Sequence, residues 1–221
     1  MSLSDHRVVT GRWTGKSESV SVRGSTTRPS CPTTRGRGPR SLHFMSTWIV
    51  FLRAVNVGAR TYPMAELRDL LTKEGYGDVE THIQTGNVRL TSPMRSRAKV
   101  EGALEALFEA DRRFPVVTMA FTPPELTQVA HDATGLAEAS PAAYGQYVSL
   151  LKSAPSAAER ERVEALSREG ERILVRNRAV HFLFDVPYHA AKISNAAIEK
   201  VLGPATNRNV KVIHALAEKW G

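Results

Sequence analysis

The order of hydrophobic periodicities along this chain predicts an α+β fold of two ferredoxin-like (βαββα-type) units in tandem. Two observations carry that expectation. From Trp48 onward, short runs of β-branched and aromatic residues alternate with longer runs whose apolar positions recur every three to four residues. The resulting order, strand–helix–strand–strand–helix–strand, then partly repeats in the C-terminal half. A chain of 221 residues with 42% hydrophobic content can bury a core of that size, and no run approaches the ~18 apolar residues of a membrane span.

Each element has its own justification. WIVFLRAV (48–55) reads as the first strand. PMAELRDLLTKEG (63–75) reads as a helix, with Pro63 in its first turn and Met64, Leu67 and Leu71 on one face. DVETHIQ (78–84) and NVRLTS (87–92) form two strands across Thr85-Gly86. RAKVEGALEALFEADRR (97–113) is the clearest helix, its apolar face made by Val100, Ala103, Leu104, Leu107 and Phe108, and PVVTMAFT (115–122) closes the first unit as a strand. PPELTQVAHDA (123–133) is read as a linker helix, followed by a loop to 144. In the second unit, GQYVSLLK (145–152) is a strand and 156–170 a helix. ERILVR (171–176) and AVHFLFD (179–185) pair across Asn177-Arg178. YHAAKISNAAIEKVLG (188–203) is a helix, ATNRN (205–209) a short closing strand and VKVIHALAEKW (210–220) a final helix. The expected division is therefore 1–44, 45–122, 123–144 and 145–221.

Charge separates the first of these segments from the rest. The formal net charge is +8, but residues 1–44 contribute +6 of it. That segment is rich in Ser, Thr, Gly, Arg and Pro and lacks both apolar periodicity and the h-region of a secretory signal. It is read as translated sequence upstream of a start at Met45, ahead of a plain disordered basic tail. The one cysteine, Cys31, lies in it. With no disulfide pair and no CxxC, the cytoplasm is the simplest compartment.

Three stretches carry polar residues in places suited to a ligand. LRAVNVGAR (52–60) runs from a strand through a Gly-containing turn toward a helix N-terminus, a geometry that receives anions, and Arg53 and Arg60 add guanidinium groups. It has one glycine rather than GxGxxG and lacks the Lys-Ser/Thr of a P-loop, so an ordinary tight turn is the plainer reading. HIQTGNVRL (82–90) places Gln84, Gly86 and Asn87 in and beside a second turn. In a βαββαβ sheet the first and third strands are central and antiparallel, so this turn is expected beside Asn56 and Gly58. AKISNAAIEKVLGPATNRN (191–209) offers Lys192 and Asn195, expected on one helix face, and Arg208 and Asn209 before the last helix. No HExxH, GxSxG or metal spacing is present, and no cofactor is expected. His181, inside a strand, is an acid/base candidate, though a packed histidine is the commoner case.

Together these stretches resemble a bacterial family of uncharacterised proteins, domain-of-unknown-function family 1697. Its members show LRGINVGG, MAEL, IQSGNVVF, SKLTNALLE and TRNWNT segments. The matches here are LRAVNVG with PMAEL, IQTGNVRL, AKISNAAIE and ATNRNVKVIHALAE. The resemblance implies a pair of ferredoxin-like units and transfers positions, not chemistry. Arg53, Asn56, Gly58, Gln84, Gly86, Asn87, Lys192, Asn195, Arg208 and Asn209 keep the pattern. Ala54, Ala59, Ala191 and Val210 to Val212 depart from it.

The sequence therefore points to binding of an anionic small molecule, a nucleotide or other phosphorylated ligand, at those ten residues. A nucleic acid ranks lower, because WIVFLRAV and NVRLTS lack the aromatic-rich pattern of RNA-binding sheets. The alternatives are an enzyme using Lys192 or His181 as acid/base, and an interaction module that adds a partner strand at an open sheet edge. No membrane association is expected, and the sequence is silent on oligomeric state.

Overall fold

The structure is a computed structural model that describes residues 44–58, 60–140, 142 and 144–221. The reading of the N-terminal tail thus lies, Phe44 apart, outside the described residues. The first sheet contains β1 (Ser46–Leu52), β2 (Gly77–His82), β3 (Asn87–Ser92) and β4 (Thr118–Phe121), in the order β2-β3-β1-β4. The second contains β5 (Gly145–Leu151), β6 (Glu171–Arg176), β7 (Ala179–Phe184) and β8 (Ala205–Asn209), in the order β6-β7-β5-β8. Every pairing is antiparallel. Both orders are those of a ferredoxin-like unit.

The helices are α1 (Met64–Lys73), α2 (Arg97–Arg112), α3 (Pro123–Ala139), α4 (Ala157–Glu164), α5 (Asn195–Leu202) and α6 (Val210–Trp220). Alternation along β1 sorts them into layers. Trp48, Val50 and Leu52 pack against Leu67 and Leu71 of α1 and Val100, Leu104 and Phe108 of α2. Ile49 and Phe51, on the other face, meet Leu126 and Val129 of α3, Ile213 and Leu216 of α6, and Val148 and Leu150 of the second sheet. The far face of the second sheet packs Val180 and Phe182 against Val163 of α4 and Ile198 of α5. The order is α1/α2, sheet, α3/α6, sheet, α4/α5.

Two expectations change here. Residues 123–133 were read as a linker helix, yet α3 is longer and forms half of the central layer. It follows β4 as α6 follows β8, so the repeated unit is βαββαβα. Its start was legible: Thr122 and Glu125 form a capping box, with Pro123 in the first turn. The second change concerns 188–203, expected as one helix. A short 3₁₀ turn, Tyr188–Ala190, is followed by extended backbone at Ala191, and α5 begins only at Asn195. The buried carboxylate of Glu171 causes the break, accepting the N–H groups of Lys192 (3.0 Å) and Ile193 (2.7 Å) and so withdrawing them from a helix. Lys192 and Asn195 consequently share no helix face.

The edge strands β4 and β8 are closed by side chains. Glu105 and Glu101 of α2 accept the Thr118 and Ala120 N–H groups at 2.8 Å each, and Arg97 and Arg178 donate to the Ala120 carbonyl. At β8, Glu199 accepts the Ala205 N–H at 2.8 Å and Arg208 donates to the Asn207 carbonyl at 2.8 Å. Covering the free backbone groups in this way removes the template for strand addition at these two edges.

Candidate functional site

The turn after β1 is held by one side chain. Asn56 accepts the Tyr62 N–H through Oδ1 at 2.7 Å, and its Nδ2 donates to the Tyr62 carbonyl at 3.0 Å and the Gln84 carbonyl at 2.7 Å. Ala54 and Asn56 both adopt left-handed backbone, φ 54° and 55°. Asparagine tolerates that region; alanine does so at a cost of about 1 kcal/mol. Arg53, expected inside the strand, lies just past its end and ion-pairs with Glu199 of α5 through Nε (2.6 Å) and Nη2 (2.8 Å). Glu66 of α1 bonds Arg112 instead. Burial works to raise Glu199, but the Arg53 and Ala205 hydrogen bonds outweigh it and hold the carboxyl below its ordinary range. Arg53 Nη1 has no protein partner among the described residues.

The β2–β3 turn sits against this one, as the strand order requires. Leu52 N–H donates to the Gly86 carbonyl at 2.8 Å. Gly86 has φ +75°, and a Cβ there would stand 2.5 Å from Val55 Cγ2 and 2.8 Å from Leu52 Cβ. No side chain fits, and a shift would open the contact between the two turns. Gly86→Ala is therefore expected to cost about 2 kcal/mol, from the left-handed backbone and overpacking together, as read from the urea midpoint. An unchanged midpoint would show that the two turns separate without cost. Asn87 is buried and donates through Nδ2 to the His82 carbonyl (3.1 Å) and Thr85 Oγ1 (3.0 Å).

Strand β8 brings the second unit to the same place. Arg208 is 8% exposed, and all five of its N–H groups are taken. Nε donates to Asn87 Oδ1 (2.7 Å), Nη1 to Thr206 Oγ1 and the Asn207 carbonyl (2.8 Å each), and Nη2 to the carbonyls of Leu52 (3.0 Å) and Thr85 (2.7 Å). Every acceptor is uncharged, and among the described residues no carboxylate pairs with it. Burial pulls its pKa down to about 10, which leaves it protonated at neutral pH. Asn195 bridges Ser149 Oγ (2.5 Å) and the Ala205 carbonyl (3.2 Å), while Asn209 caps α6 by accepting the Lys211 N–H at 2.9 Å.

These segments enclose a cleft of about 640 Å³ between the two units. Arg53, Asn56, Asn195, Arg208 and Asn209 line it. Gly58, Gln84, Gly86, Asn87 and Lys192 do not; of these, Gln84, Gly86 and Asn87 build its wall through the hydrogen bonds above. The lining also includes Val57, Ile83, Tyr188, Thr206 and Asn207, which sequence reasoning did not select. Thr206 and Asn207 lie within the ATNRN motif, whereas the apolar residues carry no local signal. His181 does not line this cleft; it is fully buried on the face of β7 it shares with Ala179, two strands from Arg208 across Val148 of β5. Neither acid/base candidate, Lys192 or His181, lines the cleft.

The internal repeat supplies a comparison. A second cleft, of about 340 Å³, is formed by the β6–β7 turn, the end of β4 and the start of α3. Those elements correspond to the β2–β3 turn, β8 and α6. It too contains a buried arginine, Arg178, whose Nη1 donates to the Ala120 carbonyl at 2.9 Å. There, however, carboxylates of the chain lie close: Glu101 at 3.6 Å and Glu125 at 3.7 Å. Among the described residues no carboxylate pairs with Arg208.

Comparison with known proteins agrees with the architecture. A family model described as a protein of unknown function matches residues 45–181. The structure is similar to that of the conserved bacterial protein SP0830 from Streptococcus pneumoniae, with a TM-score of 0.61 at 20% identity, covering 80% of this chain and 98% of that one. That likeness shows the fold alone. No curated protein matches the chain in sequence.

Proposed function

The chain belongs to the DUF1697 family of proteins of unknown function, and from that premise we propose that its inter-unit cleft binds an anionic small molecule carrying a phosphoryl group. One observation carries the reading: Arg208 is a buried cation at the cleft that no carboxylate pairs with among the described residues, whereas Arg178, the buried arginine of the second cleft, has two nearby. A buried charge without a counter-charge favours an anion next to it. Arg208 has no N–H to spare, so it acts through its field. Arg53, half-exposed and with Nη1 open, makes the direct contact, and the N-terminus of α6 adds its dipole. The Arg53–Glu199 pair is neutral by itself, which leaves Arg208 as the net charge.

RNA binding of the open-sheet kind does not suit this architecture, because helices cover both faces of each sheet. Among the described residues no helix is long and apolar enough to cross a membrane.

The test is a thermal-shift screen of the full chain against inorganic phosphate, pyrophosphate, sugar phosphates and nucleotides. A compound that binds at this cleft raises the melting temperature by several degrees at a hundredfold excess over Kd. The variant Arg53→Met is expected to lose that shift while its unliganded melting temperature falls only slightly, since Glu199 keeps the Ala205 N–H. Silence from every compound at millimolar concentration would overturn the proposal. A fold lost in Arg53→Met would make Arg53 architectural.

A further inference from the structure

The rim of the cleft differs in chemistry from its cationic wall. Tyr188, on the 3₁₀ turn, remains 49% exposed although its ring packs on Tyr147 (centroids 4.3 Å apart, planes tilted 34°) and against Phe184 at 5.8 Å. Tyr147 thus supports one face of the ring and leaves the rest of it open. Val57 and Ile83, contributed by the two turns of the first unit, are 65% and 47% exposed and line the same cleft. Large apolar side chains held in the open around a polar cleft mark a surface that a ligand covers. Ile83 is held there by backbone that a β-branched residue rarely adopts, φ 50°.

A phosphate or sugar phosphate has no use for such a rim, and about 640 Å³ is far more room than an inorganic anion fills. Resting on the anion-binding reading of this cleft, we propose that its ligand is a nucleotide, a phosphate ester of a sugar bearing a planar heteroaromatic base. The base stacks on the open side of Tyr188, and the phosphate lies toward Arg53 and Arg208. The backing by Tyr147 matters, because a ring already packed on one side loses little freedom when a base closes the other. Stacking tolerates any base, so the site discriminates nucleotide from sugar phosphate more than one base from another.

Isothermal titration calorimetry on the full chain tests this with the four ribonucleoside monophosphates, ribose 5-phosphate and adenosine. The expected result is that at least one nucleotide binds about tenfold or more tightly than ribose 5-phosphate, with adenosine weaker than that nucleotide. Tyr188→Ala should reduce the nucleotide to the level of ribose 5-phosphate and leave ribose 5-phosphate unchanged, while Tyr188→Phe retains nucleotide binding. Equal affinity for ribose 5-phosphate and every nucleotide, unaffected by Tyr188→Ala, would overturn the nucleotide inference and leave anion binding standing. Absence of binding by all six probes would overturn both.

Discussion

Replacing Arg208 by methionine is expected to destabilise the protein by about 3–5 kcal/mol, the largest loss of any single change at the cleft. The guanidinium joins β8 of the second unit to both turns of the first, through Leu52, Thr85 and Asn87. Methionine fills the stem but takes a donor from five oxygens, of which the Leu52 carbonyl still accepts Thr206 Oγ1 at 3.2 Å. Each buried acceptor left unpaired costs roughly 1–3 kcal/mol, and two effects offset part of the sum. Removing the charge removes its desolvation, and water from the cleft reaches some of the vacated acceptors. Lysine is expected to rescue little, because three donors on a single nitrogen cannot reproduce a planar fork aimed at acceptors on two sides. Urea unfolding of the wild-type, Arg208→Met and Arg208→Lys proteins measures this. A midpoint for Arg208→Met equal to wild type would mean that the clasp does not hold the units together. Rescue by lysine would mean that charge, rather than geometry, is what the site requires.

The pattern of what was legible follows from the range of the interactions. Local periodicity exposed the eight strands and most helix positions, because β1, α1 and α2 each bury a regular face. It did not expose what depends on distant partners. Glu171 ends the expected helix at 188–203 from 21 residues away, so nothing near Lys192 announces the break. Glu101 sits on the apolar face of α2 because it caps an edge strand, and burial pushes its carboxyl up. Arg53 finds its carboxylate 146 residues away, in the other unit. The site was half visible for the same reason. Polar turns advertise themselves through Gly and Asn, and the strand order of a ferredoxin-like sheet brought two of them together. Which of those residues face the cleft, and which only build it, depends on hydrogen bonds across the unit boundary. The internal duplication was visible as an order of elements, but its full length was hidden while α3 was taken for a linker.

His181 sets the second large expectation, an acid sensitivity unrelated to the cleft. The ring is fully buried, and neither nitrogen has a hydrogen-bond partner among the described residues. Burial pulls its pKa from 6.5 to about 4; attraction to Asp132 opposes the shift and Arg176 adds to it. The folded protein therefore holds His181 neutral at pH values where the unfolded chain has already bound a proton. Between about 6.5 and 4 the unfolded state carries more protons, so stability rises with pH across that window. The contribution is fully present above 6.5, declines as pH falls toward 4 and is then lost, to a total of about 3 kcal/mol. Carboxylates also respond to acid: partly buried Glu199 and buried Glu171, held low, add to the loss below their ordinary range, while buried Glu101 opposes it. The comparison that isolates the histidine is with His181→Phe, which keeps a ring and strands no partner. Urea unfolding at pH 8 should find the variant about as stable as wild type. By pH 5 the variant should lead by about 2 kcal/mol, since 1.5 units of the window have been crossed. Parallel stability curves for the two proteins between pH 8 and 5 would show that the histidine is protonated in the fold, with water or a carboxylate reaching it beneath α3.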